Sequence, residues 1–76
     1  SMRLYPNPVA DGVLNIAAEG VGTLSVYNNA GALVLSQPLD CSAGVATANV
    51  ASLQAGIYYA RFVTANGASV QKFIVK

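Results

Sequence analysis

The 76-residue chain has no histidine, no tryptophan and a single cysteine, Cys41. Without histidine and with one thiol it lacks the ligand sets of the common zinc sites and the Ser–His or Cys–His pairs that activate a nucleophile. One cysteine also rules out an internal disulfide framework. Charge is scarce: four Lys or Arg and three Asp or Glu make up 9% of the residues, against about 25% in ordinary soluble domains. The formal net charge of +1 supplies no basic stripe to neutralise phosphates, so nucleic acid is not an expected partner. Long hydrophobic runs are missing too. Nothing approaches the roughly 20 apolar residues of a membrane-spanning helix, and no charged segment followed by an apolar one opens the chain as an export signal would.

What is present is small and apolar. The hydrophobic set is 54% of the chain, and a chain of this length makes one domain that buries roughly 60–65% of the surface its unfolded form exposes. Asp11, Glu19 and Asp40 are the only carboxylates. Asp11 and Asp40 fall in predicted turns, where Asp caps local backbone N–H groups, and no Asp-x-Asp spacing occurs. Neither a glycosidase-like carboxylate pair nor a calcium cluster is expected. Cys41 has no cationic neighbour to activate it and is expected to be a small, partly buried space-filler.

The chain alternates with period two. Residues 3–9 are bracketed by Pro6 and Pro8, which lack N–H donors and hold their neighbours extended, so this segment belongs at a sheet edge or bulge. Leu14 and Ile16 share one face of a strand over 13–17, and Leu24 and Val26 one face of a strand over 23–27. Gly20-Val21-Gly22 breaks the pattern before that third segment. Asn28-Asn29-Ala30-Gly31 suits a tight reversal, and the returning arm, 32–36, is expected to stop at Pro38. A strand over 45–50 with one helical turn at 51–54 precedes the clearest strands, 57–64 and 69–76. The last two are joined through Asn66-Gly67, a strong hairpin signal. About seven short strands without a convincing helix predict an all-β, immunoglobulin-like antiparallel β-sandwich.

Leu53, Gly56 and Tyr58 have the spacing of a corner where the chain passes from one sheet to the other. The Tyr58 ring is expected in the core with its hydroxyl bonded to backbone near Leu53, Gly56 permitting the reversal, and Ala60 and Phe62 facing inward with it. Lys72 and Lys76, four apart on a strand, share a face, which by composition alone is a solvated or edge-protecting pair. Few charges and an unpaired edge also predict edge-to-edge self-association.

Four segments together resemble a known family: Tyr5-Pro6-Asn7-Pro8 near the start, the hairpin Val26 to Val34 with Gly31 after its turn, the Leu-x-x-Gly-x-Tyr element from Leu53 to Tyr58, and the lysine-flanked last strand from Lys72 to Lys76. In this order they are similar to the C-terminal sorting domains of the bacterial type IX secretion system. The loop 65–68 departs from that pattern in lacking extra lysines. The resemblance implies an immunoglobulin-like domain, here residues 3–76 after a two-residue expression scar, carried at the C-terminus of an exported cargo of Bacteroidetes-type bacteria. It implies passage through the periplasm, recognition by the outer-membrane translocation machinery, removal by a sortase-like cysteine peptidase, and cargo either released to the medium or attached to surface lipopolysaccharide. On that reading Pro6, Asn7, Pro8, Gly31, Lys72 and Lys76 are the recognition residues, no cofactor is needed, and the domain is an address and not a catalyst.

Two other classes compete. A carbohydrate-binding or adhesive immunoglobulin-like or fibronectin-like module should present a line of exposed aromatics, for which only Tyr5, Tyr27 and Tyr59 are available. A small enzyme is disfavoured by the missing histidine and scarce carboxylates.

Overall fold

A computed structural model describes residues 2–76, and among these it contains seven strands and no helix. They are β1 (Arg3–Tyr5), β2 (Val13–Ala17), β3 (Val21–Asn28), β4 (Leu33–Asp40), β5 (Val45–Asn49), β6 (Gly56–Thr64) and β7 (Gly67–Val75). A three-stranded sheet of order β1-β2-β5 packs against a four-stranded sheet of order β4-β3-β6-β7, with every ladder antiparallel. This is the predicted immunoglobulin-like sandwich, with β4 joined to the larger sheet.

The period-two alternation is what builds the core. Leu14 and Ile16 of β2, Leu24 and Val26 of β3, and Ala60 and Phe62 of β6 all point between the sheets and are buried. Phe73 of β7 is fully buried and stacks on Tyr58, ring centroids 5.7 Å apart. Opposite Leu14 and Ile16 on β5 stand Ala48 and Ala46, so large side chains on one strand meet small ones on the next and the layer fills without overlap. Met2, expected to belong to a scar, is buried in this core, and its carbonyl accepts a hydrogen bond from the Gln71 side-chain amide. Cys41 is more deeply buried than expected, at 1% exposure, with its thiol directed at the Ile16 carbonyl.

Three local expectations are corrected. Pro38 does not end the fourth strand, which runs through it to Asp40 with Pro38 opposite Thr23. The strand lies at the sheet edge, where a missing N–H on the open side breaks no ladder. Gly22 does not break the third strand either. It pairs with Thr64, and a Cβ built on it would fall 1.8 Å from the Val63 carbonyl oxygen, so β3 and β6 approach this closely only because no side chain intervenes. Residues 51–54 form a turn without helix, closed by the Leu53 N–H to the Val50 carbonyl at 3.0 Å.

Candidate recognition surface

The sequence places the chain's two chemically distinctive segments at opposite ends, and the fold brings them together. β7 pairs with β6 along one side and has no named strand on the other. Residues 7–9 lie along that open side. The Val9 N–H donates to the Ile74 carbonyl at 2.7 Å, and the Lys76 N–H donates to the Val9 carbonyl at 2.8 Å, making a single parallel bridge with Val75. Asn7 extends the bridge with its side chain: Oδ1 accepts the Ile74 N–H at 2.9 Å, and Nδ2 reaches the Lys72 carbonyl at 3.5 Å, the weaker contact of the two. Backbone groups that an edge strand would leave open are thereby satisfied.

Pro6 and Pro8 flank this contact, each preceded by a cis peptide bond, and both are exposed. Having no N–H, they add no unpaired donor to the edge. Asn7, Lys72 and Lys76 are also exposed. The Pro6-Asn7-Pro8 segment and the Lys72 to Lys76 strand therefore form one surface at one flank of the sandwich.

Gly31 is not part of that surface. It sits in the β3–β4 turn with φ of 88°, and no atom lies within 4 Å of the position a Cβ would occupy, so glycine is favoured there by the backbone conformation and not by a lack of space. The Asn28 side chain holds the turn, its Oδ1 accepting the Ala30 and Ala32 N–H groups at 3.0 and 2.9 Å. The turn lies at the same end of the sheet as Lys76 but on the opposite edge, three strand spacings of about 4.8 Å away.

At the third predicted location the Tyr58 hydroxyl donates to the Gln54 carbonyl at 2.6 Å, four residues upstream. Tyr58 is buried and Leu53 packs, partly buried, against the core. Gly56 opens β6 opposite Val75, with its backbone close to fully extended at φ 159°.

The three candidate tyrosines are divided between the two outer faces. Tyr27 and Tyr59 are register partners on the four-stranded sheet, whereas Tyr5 belongs to the three-stranded sheet, beneath the Arg3 guanidinium at 5.0 Å. Sequence reasoning passed over Val9, whose role depends on a partner 66 positions away, and Arg61, which shares the outward parity of Tyr59 on β6. Only the second left a local signal, its period-two spacing.

Neither group with a displaced titration lies on the Asn7–Lys72 surface. The Ser42 hydroxyl and then its N–H, both donating to Asp40, hold that carboxyl below its ordinary range. Burial, aided by the Asp40 charge, pushes the Cys41 thiol up and away from thiolate chemistry. Among the described residues no group of three potential metal ligands converges.

Compared with protein families, residues 3–76 match the model described as a secretion system C-terminal sorting domain. No curated protein matches the chain.

Proposed function

Because the chain belongs to the family of C-terminal sorting domains that mark cargo for the type IX secretion system, we propose that residues 3–76 work as an address read by the outer-membrane translocation machinery, without catalysis of their own. The family places its cargo on a route across the outer membrane to the cell surface. The observation that carries the finer reading is the joining of Pro6-Asn7-Pro8 to the Lys72 to Lys76 strand by Asn7 and Val9. A partner can engage both ends of the domain at once only when it is folded, so the signal is a folded surface and not a linear tag. Lys72 and Lys76 supply exposed positive charge, the prolines stiffen the segment beside them, and Gly31 maintains a turn at the same end of the sheet. Removal by a sortase-like cysteine peptidase at the surface, with cargo released or attached to lipopolysaccharide, completes the proposal.

The test is a reporter fusion. Residues 3–76 placed behind a periplasm-targeted fluorescent protein should carry it to the surface or medium of a bacterium possessing the type IX machinery. Lys72→Ala with Lys76→Ala should reduce that transfer while changing stability by no more than about 0.5 kcal/mol, as expected for exposed side chains. A folded, intact fusion that stays in the periplasm would overturn the sorting reading.

A further inference from the structure

The outer face of the four-stranded sheet is unpartnered and unusually apolar for a solvated surface. In the β6–β7 ladder Ile57 stands beside Ile74, Tyr59 beside Lys72 and Arg61 beside Val70. Ile57, Tyr59, Val70 and Ile74 are 38, 37, 57 and 39% exposed, so the apolar character is presented to solvent. Tyr27 continues the face onto β3 beside Tyr59.

The charge on this face has one dominant sign. Of the chain's four basic residues, Arg61 and Lys72 lie on it, and Lys76 follows the same outward alternation. Arg3 alone is on the opposite sheet. The carboxylate of this sheet, Asp40, ends β4 at the diagonal corner and is already engaged by Ser42. Two copies meeting through this face would bring cations together, which opposes a homodimer. Branched aliphatic side chains around a tyrosine pair, with an arginine beside it, have the make-up of a protein–protein interface core. A sugar platform would call for aromatics in line, and the third tyrosine is on the other side of the molecule.

We propose that this face, centred on Tyr59 between Arg61 and Lys72, is a docking surface for a protein partner of the export route, one that presents an apolar patch ringed by carboxylates. The proposal rests on the sorting reading and extends it from the Asn7–Lys72 flank across the sheet. The partner's apolar groups cover Ile57, Val70 and Ile74, and its carboxylates meet Arg61 and Lys72, aiding encounter and fixing orientation.

The experiment uses the reporter fusion with Arg61→Glu and Lys72→Glu together, and Arg3→Glu as the control on the opposite face. The double reversal should lower export by about tenfold or more, and Arg3→Glu should leave it near the unaltered level. A photo-crosslinking amino acid at position 59 should capture an outer-membrane translocation component in exporting cells, and the double reversal should abolish the adduct. Should the double reversal lower the thermal midpoint, Arg61→Gln with Lys72→Gln is read in its place, with the same direction expected. Full export by a folded variant would overturn the docking face, and with it the part given to Lys72, while leaving intact the reading of the domain as a sorting signal, because the unaltered fusion would still be exported. Periplasmic retention of the unaltered fusion would sink both. Binding to an acidic polysaccharide that the double reversal abolishes, or a dimer that it dissolves, would assign the face to a different occupant and equally overturn the proposal.

Discussion

Asn7 and Ile74 are joined by a hydrogen bond in which a side-chain amide takes the place of a neighbouring strand, the Asn7 Oδ1 accepting the Ile74 N–H at 2.9 Å. One side chain thus covers part of an edge that a longer strand would otherwise have to cover. The distance in sequence, 67 residues, makes it a tie between the cargo-proximal segment and the terminal strand.

Asn7→Ala should cost about 0.5–1.5 kcal/mol, the net value of a typical intramolecular hydrogen bond. Amide hydrogen exchange localises the effect: the Ile74 N–H should exchange faster, while the Lys76 N–H, held by the Val9 carbonyl, should change less. Unaltered protection at Ile74 would contradict the assigned role.

Tyr58→Phe should likewise cost about 0.5–1.5 kcal/mol through loss of the bond to the Gln54 carbonyl. Phe73→Ala, which empties a fully buried site, should cost about 3–5 kcal/mol. Denaturant midpoints compared between the two variants would separate a polar tie from core packing, and equal losses would argue against that division.

The two glycines of the third strand and its turn should respond differently. Gly22→Ala drives a methyl into the Val63 carbonyl and should cost at least about 1–3 kcal/mol, since the backbones must separate. Gly31→Ala meets no neighbour and loses only the ease of a left-handed conformation, about 1–2 kcal/mol. If Gly31 serves the turn alone, a folded Gly31→Ala fusion should still be exported, so loss of export at full stability would make it a direct contact.

Asp40 makes stability depend on acidity. Its carboxyl titrates below the ordinary value of 3.8 when folded, so its contribution is complete above that value and is lost as the pH falls through the lower folded one. Ser42→Ala removes both the hydroxyl donor and much of this dependence. Thermal midpoints of the two proteins should differ near neutral pH and converge in strong acid, and a constant gap across the range would contradict the assignment.

Much of the fold was legible because its causes are local. Alternation at Leu14 and Ile16, at Leu24 and Val26, and at Ala60 and Phe62 follows from side chains pointing to opposite faces of a strand, and no partner need be known to see it. Pro38 and Gly22 depart from the sequence expectation for one shared reason. Their cost depends on what lies beside them, an open edge for Pro38 and a closely passing Val63 carbonyl for Gly22, and neither neighbour is a sequence neighbour.

The candidate surface divides in the same way. The sequence by itself determined the strand count, the inward faces, the Tyr58 spacing and the four segments that resemble the family, because each is written in short-range spacing. Tertiary structure alone decided that Asn7 meets Ile74, that Gly31 stands on the far edge from Lys72, and that Arg61 and Lys72 flank Tyr59 on one exposed face. Those relations are set by strand order and register, which emerge only when two sheets close over a shared core.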